Sequence, residues 1–331
     1  MNYFPGKSNP MNPSNPSNPS NPTNYLTIDV EDYFQVHALS KVIRPEDWDS
    51  YECRVERNTY YILDLLDFYR SIQNSKSQNQ NSPTATFFIL GWIAERYPKL
   101  VKEIHHRGHE IASHGYAHQV IYNQAPQEFR QDIRRAKDIL EDLIGNEVIG
   151  YRAPTYSITP KTLWALNILA EEGYKYDSSV FPIRHDYYGM PSAPLFPFIW
   201  DLSQGEYPKI IQCSQFKTQN SKSKTLFEFP MSTVTILNHR FPCSGGGYFR
   251  ILPYFFTRLF LNKINKEGKS FIFYLHPWEL DPDIPRTRDI SFLSKFRTYV
   301  NLSKTKARVK RLLADFDFQA IRIFRDHNAY Y

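Results

Sequence analysis

The sequence predicts a single α/β domain built as a (β/α) barrel around a parallel sheet. Apolar runs of strand length alternate with amphipathic segments of helix length through most of the 331 residues. About seven such repeats fit one barrel. The composition agrees, because 41% of the residues are hydrophobic and 16% are aromatic, which suffices for a large core.

Buried strands are predicted where short apolar runs lie between turn-forming residues. In chain order these runs are residues 25–30, 84–90, 109–113, 148–151, 226–230, 270–276 and 319–324.

Helices are predicted where apolar residues recur with a period of 3.6. Ile62, Leu65, Leu66 and Tyr69 share one helix face in this way. The other predicted helices are a segment ending at Gly108, residues 129–143 with a stop at Gly145, and segments near 161–171, 254–265 and 302–313.

Three polar tracts interrupt the pattern. Residues 1–24 contain repeated Asn-Pro-Ser units, which support neither a helix nor a sheet ladder, so we expect a disordered leader before a domain at 25–331. The tracts near 74–83 and 217–224 are predicted to be loop insertions within that domain.

The charge and the cysteines exclude several classes of protein. The net charge is +6 with a pI near 9.0, and the basic run at 304–311 reads as a solvated helix face, so no nucleic-acid partner is expected. Cys53, Cys213 and Cys243 form no CxxC pair, which favours a reducing compartment. With no signal peptide or transmembrane segment apparent, a cytoplasmic location is expected.

Reactive residues follow five of the apolar runs. In a barrel, the carboxyl ends of the strands meet at one rim, so these side chains are expected to form one site. The five stretches are TIDVEDYF (27–34), SHGYAH (113–118), RAPTYS (152–157), YDSSVFP (176–182) and FYLHPWE (273–279).

Two of these stretches predict a metal site. His114 and His118 with one carboxylate would form a two-histidine, one-carboxylate set with positions left for water and substrate. The alternative is two exposed histidines at a turn. Asp29, Glu31 and Asp32 favour the metal, because three carboxylates at the end of an apolar strand are tolerated beside a cation.

The order of these motifs resembles the polysaccharide deacetylases of the NodB-homology type, in the carbohydrate esterase group. Within that group it is most similar to the branch found with exosortase exopolysaccharide loci. The resemblance runs from Tyr25 to about Phe324 and also includes RVERNT, ATFFILGWIAERYP, GGGYFR and FYLHPWELDPD. It implies a distorted barrel that hydrolyses the N-acetyl group of an amino sugar in a glycan. The implied cofactor is a divalent metal, usually zinc, with cobalt or nickel possible.

The resemblance also implies roles for individual residues. They are Asp29 as general base, His114 and His118 as metal ligands, Arg152 orienting the base, His276 as general acid and Asp177 tuning that acid. Arg152 and Asp177 could instead form a plain structural ion pair.

The chain departs from the family pattern in two motifs. The first reads DVED rather than adjacent aspartates; Glu31 is favoured as third ligand because it shares a strand face with Asp29, and Asp32 is the alternative. The third motif inserts Thr155 before Tyr156, so the backbone N–H of either could hold the oxyanion.

Substrate contacts are expected from Tyr248 and Arg250 in SGGGYFR and from Trp278, which could stack on a pyranose ring. Structural roles for these three residues are equally open. Two other functions also remain open: a cyclic amide or ureide amidohydrolase of the allantoinase kind, and a barrel that binds glycans without catalysis.

Overall fold

The computed structural model describes residues 22–76, 83–203, 208–213 and 224–321. Within these ranges the chain forms twelve strands, which are β1 (Asn24–Val30), β2 (Thr86–Ile89), β3 (Glu110–Ser113), β4 (Gly150–Tyr151), β5 (Tyr176–Asp177), β6 (Phe198–Asp201), β7 (Lys209–Gln212), β8 (Thr225–Glu228), β9 (Thr233–Ile236), β10 (His239–Pro242), β11 (Ile272–Leu275) and β12 (Phe318–Gln319). The helices in the same ranges are α1 (Val55–Lys76), α2 (Gly91–Arg96), α3 (Pro98–His106), α4 (Pro126–Ile144), α5 (Trp164–Glu171), α6 (Gly246–Ile251), α7 (Tyr254–Lys266), α8 (Phe292–Tyr299) and α9 (Leu302–Asp315).

The main sheet has the strand order β11-β1-β2-β3-β4-β5-β8-β6-β7, and β12 pairs with the start of β1. Strands from β11 to β8 are parallel, whereas β6 runs antiparallel to both β8 and β7. Strands β9 and β10 form a separate antiparallel hairpin. The described strands do not close into a ring of hydrogen bonds, so the predicted α/β barrel is confirmed in its distorted, open form.

The chain just before α6 runs beside β11, on the edge that does not pair with β1. Gly245 forms a parallel bridge with Tyr274 in β11, and the N–H of Tyr274 donates to the carbonyl of Ser244 at 2.7 Å. Gly245 has a φ of +133°, and a Cβ there would lie 2.0 Å from the carbonyl oxygen of Tyr274. Only glycine fits this position.

The core lies between the sheet and the helices around it. All seven residues of β1 are buried, as expected for a central strand of a parallel sheet. Helix α4 buries the stripe Phe129, Ile133, Ala136 and Leu140 and ends at Gly145, whose φ of +67° is that of a left-handed cap. Both the stripe and the stop agree with the sequence prediction.

Several elements were not predicted: α2, α6, α8, strands β5–β7 and the β9–β10 hairpin. Most of these elements are too short for a periodic pattern of apolar residues to be recognised in the sequence. Strand β7 lacks such a pattern because most of its residues are exposed. In the described part of the chain, no helix is both long and apolar enough to cross a membrane.

The predicted boundaries of the polar tracts also change. Strand β1 begins at Asn24, so the last residue of the predicted leader belongs to the sheet, while residues 1–21 lie outside the described ranges. Helix α1 continues to Lys76, and the remaining parts of the predicted insertions, 77–82 and 217–223, lie outside the description, as does the predicted strand beyond Ile321.

Candidate active site

Two neighbouring strands bring the predicted base and acid together. Asp29 lies in β1, and His276 directly follows β11, whose Leu275 pairs with Ile28. The Nε2 atom of His276 lies 3.8 Å from Oδ2 of Asp29. Residues 247 positions apart, 29 and 276, are therefore neighbours because their strands are parallel neighbours in the sheet.

Arg152 fixes the orientation of Asp29. Its Nη1 donates to Oδ1 of Asp29 at 2.6 Å and to Oγ1 of Thr27 at 2.8 Å. The Nε and Nη2 atoms donate to the carbonyl and the hydroxyl of Ser178, each at 2.9 Å. Burial alone would lower the pKa of Arg152, but Asp29 outweighs it, and the pKa is raised. The guanidinium is fully buried and holds the Asp29 carboxyl group in one position.

Glu31, His114 and His118 converge on one point. Each offers a ligand atom, and the three atoms lie within 4.8 Å of one another. Oε2 of Glu31 lies 2.8 Å from Nε2 of His118, but it meets no donor in hydrogen-bond geometry within the described structure. A buried carboxylate oxygen without a hydrogen bond beside two imidazoles fits a cation, and the N,N,O donor set suits zinc and similar divalent ions.

The protonation states of these groups favour ligation. Burial, the largest effect, lowers the pKa of His114 to about 4, and its Nδ1 contacts the carbonyl of Arg152 at 2.8 Å, which leaves Nε2 for the site. Burial would raise the pKa of Glu31, but His118 and His276 outweigh it and bring the pKa to about 2. A neutral imidazole and an ionised carboxylate are the forms that bind a metal.

A loop anchored to α4 places His118. Asp132 of α4 accepts hydrogen bonds from the backbone N–H groups of Tyr116 at 2.8 Å and Ala117 at 3.2 Å. Gly115 adopts a φ of +74°, and a Cβ there would lie 2.7 Å from Oδ2 of Asp132. Asp132 was not predicted, since an acidic residue on an amphipathic helix is ordinary and no sequence signal sets it apart.

Asp32, the alternative third ligand, is directed away from the histidines. Its Oδ1 accepts from the N–H of Tyr33 at 2.8 Å, and its Oδ2 accepts from those of Arg54 at 2.5 Å and Val55 at 2.8 Å. With both oxygens engaged by the backbone, Asp32 stabilises the turn after β1 and the start of α1. The geometry therefore favours Glu31.

Asp177 does not lie where the sequence analysis placed it. It pairs in register with Glu228 of β8 and accepts a hydrogen bond from the hydroxyl of Ser179. Burial raises the pKa values of Asp177 and Glu228, which face each other across the two strands. The carboxylate that contacts His276 is Glu279, so Glu279 is the better candidate than Asp177 for the residue that tunes the acid.

Glu279 holds His276 from three residues further along the chain. Its Oε2 lies 3.1 Å from Nδ1 of His276 and also accepts the backbone N–H of His276 at 3.0 Å. Burial would lower the pKa of His276, but Glu31 and Glu279 outweigh it and raise the pKa to about 9. His276 is therefore protonated near neutral pH, as a general acid must be.

Arg250, predicted to touch substrate, is buried beneath Glu279. Its Nε donates to Oε1 of Glu279 at 2.8 Å, and its other nitrogens donate to the carbonyls of Arg297 at 2.8 Å and Thr298 at 2.9 Å. The side chain is only 3% exposed, so the structure favours a structural role for Arg250, the alternative that the sequence left open, over direct contact with a sugar.

Trp278 also has a structural partner. It is 4% exposed, its indole N–H donates to Oε1 of Glu31 at 3.2 Å, and its ring stacks on that of His276. It supports a candidate metal ligand and the candidate acid rather than presenting an open face to a sugar.

A cleft of about 690 Å³ opens over these groups. The residues predicted to contact substrate all lie along it, and so do Tyr187 and Tyr188, which were not predicted; the predicted ones are Thr155, Tyr156, Tyr248, Arg250 and Trp278. The N–H of Tyr156 donates to the carbonyl of Ala153 at 3.0 Å, so Thr155, with a left-handed φ of 55°, is the better candidate oxyanion donor.

Two family models match the chain. Residues 77–176 match the polysaccharide deacetylase family, and residues 178–325 match a domain of unknown function, DUF3473.

Relatives of known name align over short segments. The chain is 35% identical over 95 residues to a peptidoglycan deacetylase-like protein of Gibberella zeae, covering 29% of this chain and 27% of that protein. It is 37% identical over 87 residues to a peptidoglycan-N-acetylglucosamine deacetylase of Bacillus cereus, covering 26% and 32%. The matched segments thus span about a third or less of these relatives.

One solved structure is similar over almost the whole length. It comes from Mycobacterium smegmatis and is provisionally assigned as a polysaccharide deacetylase. The TM-score is 0.53 at 16% identity, and the alignment covers 92% of this chain and 91% of that one. At this identity the likeness shows a shared fold.

Proposed function

The chain carries a polysaccharide deacetylase domain, and from this premise we propose that it is a metal-dependent hydrolase that removes N-acetyl groups from amino sugars. The proposed substrate is a polysaccharide or an exopolysaccharide intermediate.

The observation that carries the proposal is the convergence of Glu31, His114 and His118 beside Asp29 and His276. The three ligand residues would hold a divalent cation, zinc first and cobalt or nickel as alternatives. Such a cation would supply Lewis acidity to the acetamide carbonyl and to the attacking water.

Asp29 is proposed as the general base. Arg152 donates to its Oδ1, which leaves Oδ2 to take a proton from the attacking water. Because Arg152 also bonds to Thr27 and Ser178, the base is held by three strands of the barrel and does not need to reorganise during the reaction.

His276 is proposed as the general acid. An amide nitrogen leaves as an amine only when it is protonated, and His276 carries the proton because Glu31 and Glu279 raise its pKa to about 9. The N–H of Thr155 is the proposed donor to the oxyanion.

The segment that matches the domain of unknown function supplies the proposed general acid and the residues that hold it. Arg250, His276 and Glu279 all lie between residues 178 and 325. We infer that this segment is the second part of the deacetylase barrel, with β1 contributing the base.

The cleft favours a sugar chain over a small cyclic amide. Tyr187 is 44% exposed at the cleft, and pyranose rings present apolar C–H faces that pack on aromatic rings. Cys53, Cys213 and Cys243 are all free, which supports the proposal of a cytoplasmic location.

Metal analysis of the purified protein, combined with acetate release from a panel of N-acetylated glycans, tests the proposal. We expect about one equivalent of divalent metal, acetate release that chelation abolishes, and no turnover by Asp29→Asn. Turnover of allantoin without turnover of glycans would support the cyclic amidohydrolase instead. Glycan binding by a metal-free protein without acetate release would support the non-catalytic barrel.

A further inference from the structure

Two helices expose large apolar side chains in the same pattern. In α7, Phe255, Phe256 and Leu259 are 67%, 44% and 51% exposed. In α8, Phe292, Leu293 and Phe296 are 84%, 52% and 42% exposed. Each triad has the spacing i, i+1, i+4, which places its members on one helix face. Scattered apolar residues on a surface are ordinary, but two matched triads are not.

The same two helices are basic. Their sequences, YFFTRLFLNKINK and FLSKFRTY, contain five Lys and Arg residues and no Asp or Glu. Arg258 pairs with Asp315 and Lys263 with Glu267. In the described part of the chain, Lys266, Lys295 and Arg297 form no ion pair. An exposed apolar face with surplus positive charge is typical of helices that lie in a membrane interface.

This surface borders the mouth of the candidate active site. Leu293 and Phe296 of α8 line the cleft, and so does Ile251 at the end of α6, which is 42% exposed. Arg250 joins α6 to α8, because its guanidinium donates to the carbonyls of Arg297 and Thr298 at the end of α8. Helix α7 begins three residues after α6 ends.

We propose that the exposed surface of α7 and α8, here called the α7–α8 face, docks on an anionic lipid bilayer. This docking proposal rests on the proposed function. The substrate is then a glycan held at the membrane surface, and the cleft opens beside the lipid headgroups. The basic residues complement anionic lipid, whereas a second copy pairing through the same face would bring equal positive charges together. The phenylalanine rings give the contact its apolar part.

Vesicle co-sedimentation tests the proposal without any measurement of activity. We expect the protein to bind vesicles of phosphatidylcholine mixed with phosphatidylglycerol and to bind phosphatidylcholine alone far more weakly. The double variant Phe255→Asp, Phe292→Asp should lose at least roughly tenfold in binding. Lys266→Gln with Lys295→Gln should weaken binding only to the anionic vesicles.

Phe68→Asp is the matched control, because Phe68 is 56% exposed on α1, away from the cleft-lining residues. It should bind vesicles as the unchanged protein does, and thermal unfolding should verify that all variants are folded. Absence of vesicle binding by the unchanged protein, or an equal loss in Phe68→Asp, would overturn the proposal. So would a dimer in light scattering that Phe292→Asp dissociates. Acetate release from a soluble oligosaccharide should persist in the double variant. A failure of the proposed function would therefore appear as absent acetate release in the unchanged protein, independently of vesicle binding.

Discussion

His276 and Glu279 face each other across one 3₁₀ turn, with Nδ1 and Oε2 3.1 Å apart. The candidate acid therefore takes its counter-charge from Glu31 and, within its own motif HPWE, from Glu279. Glu279 is in turn held by Arg250, and both side chains are buried. One carboxylate that supports the proton on His276 thus lies only three residues further along the chain.

The first prediction compares the two carboxylates assigned to the acid. Glu279→Gln should lower the pKa of His276, because it removes an adjacent negative charge, and should reduce kcat by roughly ten- to a hundredfold. NMR titration of the His276 ring and steady-state kinetics measure the two effects. Asp177→Asn is the comparison and should leave the titration of His276 unchanged. The opposite pattern would restore Asp177 as the tuning residue.

The second prediction concerns the pH dependence of stability in chelator-treated protein. The folded-state pKa of His276, about 9, lies above its ordinary value of 6.5. Protonated His276 therefore stabilises the fold below about pH 6.5, and this contribution is lost as the pH rises through 9. It amounts to at most about 3 kcal/mol. Urea unfolding at several pH values should show the difference between the unchanged protein and His276→Gln shrinking as the pH rises. A difference that stays constant would contradict the raised pKa.

The third prediction separates ligands from neighbours. His114→Ala and His118→Ala should each lose the metal and the activity, while Asp29→Asn should keep the metal and stop turnover. Glu31→Ala should lose the metal, and Asp32→Ala should keep it, since Asp32 binds only backbone N–H groups. Metal content by mass spectrometry is the measurement. Retention of stoichiometric metal by Glu31→Ala with loss in Asp32→Ala would reverse the choice of third ligand.

The fourth prediction concerns the loop that carries His118. Asp132→Ala removes the acceptor for the N–H groups of Tyr116 and Ala117, so the imidazole should be less well placed and metal affinity should fall about tenfold or more. Competition with a chromogenic chelator measures the affinity. Asp138→Ala, an exposed acidic residue on the same helix, should have no effect. Equal losses in both variants would point to a general effect on α4.

The fifth prediction uses two neighbouring glycines. Gly245→Ala should lower the free energy of unfolding by at least about 2 kcal/mol, because φ is +133° and the new Cβ would meet the carbonyl of Tyr274. Gly247→Ala should be neutral or stabilising by about 0.5 kcal/mol, since it lies in α6 with open space around it. Equal effects would contradict the close contact with β11.

The sequence predicted those candidate site residues whose side-chain type suits few roles other than acid–base chemistry or metal binding. Asp29, His114, His118 and His276 follow apolar runs, and parallel strands bring such positions to one rim. It could not predict which carboxylate would face the candidate acid, His276. Asp177 ends strand β5 and Glu279 follows β11, and only the local turn after β11 directs Glu279 back to His276.

Buried charged residues were the second feature of the site that the sequence could not predict. Arg250 and Asp132 act through backbone groups and partner side chains, and neither a hydrophobic period nor a motif marks such contacts. The short strands β6 and β7, of which only β7 is mostly exposed, and the short helices α6 and α8 were missed for a related reason. A few residues with mixed exposure do not define a period.

Strand β1 is emerging from the ribosome long before its neighbour β11, with which it pairs from Tyr25 to Ile28. A nascent chain that stops short of β11 leaves one edge of β1 without its neighbouring strand and lacks His276, the candidate general acid. Such contacts between distant positions also slow folding. Prematurely terminated products of this gene should therefore be both inert and prone to aggregate, and chaperone protection of the free β1 edge would matter most during translation.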